Sequence, residues 1–197
     1  MIQSVFVDMD MVLADFIRGV EKKYDSVLPD GFGYDIGRAI GRNWDDLKWD
    51  LDQDFWSELP LMPWALGLMK FLSHQFPEVY ILTHAEPIQD FIEGKLLWMK
   101  IWFPEYTDNV IITKHKHLLA RSTALLIDDY PKHCTAWRAR RGKAVEVPSR
   151  WKGRVSTSYN IFDAVISEAG ISHPVAVDHP CDDTARNCLQ CNQNTRD

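Results

Sequence analysis

The chain has 197 residues, 46% of them hydrophobic and 25% charged, enough for one domain with a sizeable core and a small accessory unit. Its formal net charge of −6 gives no electrostatic reason to bind a nucleic-acid polymer, whereas a small phosphorylated ligand needs only local positive groups. No apolar run approaches the roughly 20 residues needed to span a bilayer, and the start "MIQSVFVDMD" lacks a basic region followed by a long apolar stretch, so a soluble, cytoplasmic protein is expected.

The first element is "SVFVD", residues 4–8, a short continuous apolar run of the kind that forms a strand covered on both faces. It ends in two carboxylates, Asp8 and Asp10. Residues at i and i+2 of an extended chain share a face, so the pair needs a cation, a shared proton or full solvation. Residues 17–62 then carry aromatics, Gly and Asp but no convincing strand, and are expected to form a small, mostly helical insertion. "PWALGLMKFLSHQF" follows as a helix with Pro63 suited to its first turn. The strand "EVYILT", 78–83, leads to a helix in 86–103 with apolar residues on more than one face, where Trp98 and Trp102, four apart, are expected in the core. "NVIIT", 109–113, is a third strand, "KHLLARS" a short helix and "TALLID", 123–128, a fourth strand. "PKHCTAWRARRG" starts with Pro131 and stops at Gly142. "WRARRGK", 137–143, is the only clear basic run and reads as a solvated helix end. The strand "KAVEV", 143–147, and the helix "NIFDAVISEAG", ending at Gly170, complete the pattern. Alternating strands and helices predict an α/β fold, a Rossmann-like parallel sheet flanked by helices. Residues 1–16 and 63–170 are the expected core, 17–62 the inserted unit and 171–197 a polar tail.

In open parallel sheets, ligands bind beyond the carboxyl ends of the strands. Those ends carry Asp8 and Asp10, then Thr83, then Lys116 just past the third strand, then Asp128 and Asp129. A hard cation such as Mg2+ takes oxygen ligands and binds through one or two carboxylates plus phosphate oxygens. Thr83 would donate to a phosphate, and Lys116 would supply a compact positive charge. One carboxylate can act as nucleophile and another as general acid and base. Each group alone has a bland reading: a strand-end turn, a helix cap, a surface lysine. The ordered combination at successive strand ends points to a phosphate-processing site.

At these residues the sequence resembles the haloacid dehalogenase superfamily of phosphatases. "DMDMVLADF" looks like its first motif, "ILT" its second, "IITKHKHLL" its third and "LLIDD" its fourth. Within the superfamily the likeness is to the 5′(3′)-deoxyribonucleotidases, over roughly residues 4–147. The resemblance implies a phosphoaspartate formed on Asp8, with Asp10 protonating the leaving oxygen and then activating water. It implies Mg2+ held by Asp8, the Asp10 carbonyl and Asp129, with Asp128 supporting, and phosphate bound by Thr83, His84 and Lys116. Met11 stands where the family usually has Gly, His84 replaces a small hydroxyl residue, and Lys114 and His115 replace an Arg-Asp pair. The implied substrate is a deoxyribonucleoside or ribonucleoside monophosphate. The alternatives are another small phosphate ester, a nucleic-acid 3′ end, or a catalytically silent scaffold with a partner-binding tail; a homodimer is also open.

In the superfamily's plan the insertion is a cap that excludes water and sets specificity. Phe16, Tyr34, Trp44, Trp49, Phe55 and Trp56 there suit stacking on a flat base, although a small cap also needs large residues simply to make a core. The tail holds His179, Cys181, Cys188 and Cys191, four soft ligands that can bind Zn2+ tetrahedrally, in a spacing that matches no standard finger. The alternative is a tail with reduced thiols.

Overall fold

A computed structural model describes residues 1–172 of the chain. Strands β1 (Ser4–Val7) and β4 (Ala124–Asp128) are buried along their whole length. A strand with no exposed face must be covered on both sides, and alternate residues do point into two different cores. Val5, Val7, Leu125 and Ile127 join the larger core, whereas Phe6, Ala124 and Leu126 join a smaller one. With β2 (Glu78–Thr83), β3 (Val110–Ile112) and β5 (Lys143–Glu146) they form a five-stranded, all-parallel sheet in the order β3-β2-β1-β4-β5. The α/β expectation is borne out. The chain leaves the central strand β1 to one side and later returns to the other, so β1 and β4 flank the point where strand order reverses, where α/β sheets open a crevice.

Helix α7 (Pro131–Arg138) covers the smaller core with Cys134 and Trp137. The basic run therefore begins on a fully buried tryptophan, and Arg138 donates to the Ala144 carbonyl at 2.6 Å. The larger core takes α5 (Ala65–Gln75) and α8 (Ile161–Ala169), which meet edge to face at Phe71 and Phe162. The helix α8 stops where Gly170 adopts φ 74°, a left-handed cap that only glycine takes without strain.

The segment after β1 folds as four short helices: α1 (Phe16–Lys23), α2 (Ile36–Ala39), α3 (Trp44–Asp50) and α4 (Gln53–Ser57). Each begins at an Asp or Asn whose side chain accepts from a backbone amide of the first turn, the favoured N-cap arrangement. The Asp-rich composition of this stretch is thus largely helix punctuation. Helix α6 (Gln89–Trp102) packs on α4 and buries Phe91, Lys95, Trp98 and Met99. Three expectations are corrected. Helix α7 ends at Arg138, before the expected stop at Gly142. "KHLLARS" yields only a short 3-10 helix, Lys116–Leu119. Trp102 is 40% exposed, not core. The chain leaves the helix at that point, and Phe103, with its amide on the Met99 carbonyl, takes the buried position. No helix among the described residues is long and apolar enough to cross a membrane. His179, Cys181, Cys188 and Cys191, the expected Zn2+ ligands, lie outside the described residues.

The α4–α6 contact depends on Gly94. A Cβ there would sit 2.5 Å from Trp56 Cβ and 2.7 Å from the Gln53 carbonyl oxygen. Alanine normally favours a helix over glycine by about 1 kcal/mol, but here the obstacle is backbone, which cannot rotate away. Gly94→Ala should therefore lose roughly 1–3 kcal/mol through overpacking and lower Tm by several degrees. A thermal melt showing equal or higher Tm would remove this account of the contact.

Candidate active site

Asp8 follows β1 directly, its amide donating to the Ile127 carbonyl at 2.8 Å. The chain then doubles back: the amides of Val12, Leu13 and Ala14 all donate to the Met9 carbonyl, and Met11 donates to that of Ala14 at 2.7 Å. So tight a loop forces Met11 to φ 62°, a left-handed conformation that costs an ordinary residue roughly 1–2 kcal/mol. The place where a glycine is expected is thus a place where glycine has a physical reason. Met11 is only 6% exposed and packs into the larger core, and burying such a side chain is worth about 1.5–3 kcal/mol, which offsets the strain. The loop is pinned from behind by Trp64, whose indole donates to the Val12 carbonyl, and by Met62, whose amide donates to that of Leu13.

Asp8, Asp128 and Asp129 each place a carboxylate oxygen within 4.8 Å of the others, and all three residues are buried. Lys116, 2% exposed, lies 2.7 Å from both Asp8 Oδ1 and Asp128 Oδ2. Three negative charges thus face one positive charge, and the imbalance is visible in the protonation equilibria. Burial pushes Asp8 up to about 6, with Lys116 opposing and Asp128 and Asp10 reinforcing the shift. Burial and then the Asp8 charge hold Asp129 well above the usual range, against the pull of Trp151, whose indole donates to its Oδ2 at 2.6 Å. Asp128 shifts the other way: burial raises it, but Lys116 and His133 prevail and hold it low. Burial opposes the Lys116 charge, yet Asp8 and Asp128 keep it above the ordinary lysine value. All-oxygen donors with surplus negative charge fit a hard divalent cation. Asp129 faces the cavity beside Asp8, whereas Asp128 sits behind, its oxygens taken by Lys116, His133 and the Tyr130 amide.

Asp10 is held differently. Its Oδ2 pairs with the ammonium of Lys95, a residue with no exposed surface, while its Oδ1 is buried without a hydrogen-bond partner. Lys95 also donates to Thr83 Oγ1 at 3.1 Å and to the His84 carbonyl at 2.9 Å. Thr83 is fully buried and does not line the cavity; His84 does. Burial, then the charges of Lys114 and Lys95, lower the His84 pKa.

The cavity has a volume of about 480 Å³, with Asp8, Asp10, Lys116 and Asp129 in its lining and Phe16, Trp44 and Tyr34 among its walls. Trp56 lines the cavity, as expected, but is only 2% exposed: Phe16 stacks on it at 5.3 Å and 12°, and Phe91 at 4.0 Å and Lys95 at 4.8 Å also lie against its ring. Phe55 is edge-on to both Phe16 and Trp56 and does not line the cavity. Trp49, expected in the pocket, is 70% exposed and outside it, because α3 turns Trp44 and Leu47 inward and Trp49 away. Tyr34 stacks on Tyr130 at 4.5 Å and meets Trp151 edge-on. Arg150 fastens this wall: it pairs with Glu21 and Asp30 and donates to the Leu28 carbonyl, while Gly31 and Gly33 donate to the carbonyls of Arg150 and Trp151.

Lys95, Tyr130, Trp151, His133 and Phe91 are not singled out in the sequence. Lys95 alone leaves a signal there, since it falls at helical spacing between Phe91 and Trp98 on a face that is otherwise apolar. The other four carry chemistry only through what the fold puts beside them.

No protein-family model matches the chain. Its structure is similar to a HAD family hydrolase from Deinococcus radiodurans solved with bound phosphate and sodium, with a TM-score of 0.52 and 15% identity over 88% of this chain and 99% of that one. It is similar to a HAD-hydrolase from Bacillus subtilis bound to magnesium, with a TM-score of 0.52 and 12% identity over 78% and 90% of the two chains. A haloacid dehalogenase-like family hydrolase from Streptococcus pneumoniae gives a TM-score of 0.50 and 17% identity over 78% and 88%. The chain has the haloacid dehalogenase-like hydrolase fold. In sequence it is 32% identical over 146 residues to the mitochondrial 5′(3′)-deoxyribonucleotidases of Mus musculus and Homo sapiens, an alignment covering 64% of this chain. The chain spans 64% and 62% of the lengths of these two relatives.

The acidic cluster predicts how a cation should stabilise the protein. Asp8 titrates at about 6 when folded and near its ordinary value of 3.8 when unfolded. A raised folded pKa contributes stability that is present below the unfolded value and lost as pH rises through about 6. A cation binds the ionised carboxylates and must displace protons at lower pH. Saturating Mg2+ should therefore raise Tm more at about pH 8 than at about pH 5, and Asp129→Asn should shrink the effect at the higher pH. A Tm shift independent of pH and of Asp129 would place the cation elsewhere.

Proposed function

We propose that the protein is a Mg2+-dependent phosphatase that hydrolyses deoxyribonucleoside or ribonucleoside monophosphates through a phosphoaspartate on Asp8. One observation carries the reading: a buried carboxylate paired with Lys116 stands beside a second acidic group in the lining of a cavity walled by aromatic rings. Similarity to the mitochondrial 5′(3′)-deoxyribonucleotidases supports it, as do the phosphate and magnesium bound by two proteins of the same fold.

The side chains divide the work. Asp8 Oδ1 accepts from Lys116 and from the Met9 amide at 2.8 Å, which orients the carboxylate and leaves Oδ2 to attack phosphorus in line with the leaving oxygen. Lys116 neutralises charge on the phosphoryl oxygens as well as on Asp8. Asp10 gives a proton to the leaving oxygen and later takes one from the water that hydrolyses the phosphoaspartate. Mg2+, held by Asp8, Asp129 and the Asp10 carbonyl, supplies positive charge for the phosphoryl group when bound. Asp128 fixes Lys116 from behind, and His133 in turn fixes Asp128. His84 lies in the cavity lining, where its backbone and ring can meet the phosphate. Thr83, committed to Lys95, supports this edge from beneath.

Substrate choice falls to the walls, because the phosphate groups above serve any monoester. A cavity of about 480 Å³ suits a nucleoside. Phe16, Tyr34 and Trp44 are among the rings that line it, and flat rings stack well on bases.

Two variants test the reading by phosphate release. Asp8→Asn should fall to background while keeping its thermal transition, since an amide is a poor nucleophile; substantial residual turnover would end the mechanism. Phe16→Ala should lower kcat/KM for a deoxynucleoside 5′-monophosphate by roughly tenfold to a hundredfold, the loss of one stacking contact. It should leave para-nitrophenyl phosphate within a few-fold of wild type, because that ester lacks a base. Equal losses on both substrates would make Phe16 a core residue.

A further inference from the structure

Lys95, like Lys116, is fully buried, and its environment is unusual for a helix side chain. Burying an ammonium is costly unless every proton finds an acceptor. Lys95 has three protons and three acceptors: Asp10 Oδ2, Thr83 Oγ1 and the His84 carbonyl. None is left over for a substrate phosphate. Its charge also lies 4.8 Å from the ring centre of Trp56, a favourable cation–π distance. Gly94 beside it allows α4 to approach closely enough for this contact.

The consequence falls on Asp10. One oxygen is tied to Lys95; the other, Oδ1, is buried and has no hydrogen-bond partner, in a residue that lines the cavity. A buried carboxylate oxygen left unpaired is expensive. With no other partner on the carboxylate, the Lys95 ammonium is what fixes how Asp10 stands at the cavity. We infer that Lys95 is a positioning residue for leaving-group protonation: it grips Asp10 by Oδ2 and so sets the carboxylate's orientation at the cavity, and it ties that grip through Thr83 and Trp56 to the sheet edge and to α4. This inference rests on the phosphatase reading and extends it to a side chain outside the strand-end motifs.

Leaving-group dependence separates positioning from a merely structural role. The alkoxide leaving a nucleotide sugar needs a proton, whereas nitrophenolate departs without one. In kcat/KM only the steps through leaving-group departure count, so the later role of Asp10 as base does not enter. Lys95→Met should cost roughly 100-fold or more on a deoxynucleoside 5′-monophosphate, in the range of lost general-acid catalysis, but less than about tenfold on para-nitrophenyl phosphate. Asp10→Asn should show the same skew, and the double variant should be no worse than Asp10→Asn alone, as expected for residues that act as one unit. Lys95→Arg keeps the charge but cannot reproduce the three-way grip; it should show the skew in milder form and serves if Lys95→Met does not fold. Equal losses on both esters, or additive losses in the double variant, would overturn the inference while leaving the phosphatase reading intact. A wild type that releases phosphate from neither ester would overturn both.

Discussion

The site is organised around a shortage of positive charge. Asp8, Asp128 and Asp129 are buried together at the adjoining ends of β1 and β4, and Lys116 alone stands among them. In a low-dielectric interior such a set is tolerable only if protons or a cation make up the difference. The neighbouring groups obey the same constraint. His133 backs Asp128, the Trp151 indole backs Asp129, and Lys95 takes the charge of Asp10 out of the cluster.

That arrangement divides four carboxylates into separate roles by surroundings alone. Asp128, saturated with donors, is held ionised and out of the cavity. Asp8 and Asp129 are pushed toward the protonated form and face the cavity. Asp10 is fixed at one oxygen, and its other oxygen is buried without a hydrogen-bond partner. Chemically identical groups thereby become a support, a candidate nucleophile, a candidate cation ligand and a candidate acid.

The walls are joined to the floor through a few side chains. Trp151 touches both Asp129 and Tyr34, and Lys95 touches both Asp10 and Trp56. Arg150 ties the segment around Leu28–Gly33 to the residues after β5. The four-helix segment is thereby linked by direct contacts to side chains that hold the carboxylates.

Much of this was legible in the sequence. Continuous apolar runs ending in Asp8, Thr83 and Asp128 announced buried parallel strands, and parallel connectivity obliges their ends to meet at one edge, so the acidic cluster and Lys116 could be named from strand order. The Gly170 stop was equally readable, because a helix end of this kind is local chemistry. The aromatic pocket was not. Trp49 and Trp56 look alike in sequence, yet one is exposed and the other enclosed by Phe16, Phe91 and Lys95, since which face of a short helix turns inward is set by what packs on it. Lys95 lies 85 residues from Asp10 in the chain. Strand order and side-chain type are properties of the sequence, whereas a buried ion pair of that span exists only once α6 has docked on the sheet edge and on α4, for only the packed state removes the water that would otherwise solvate both charges.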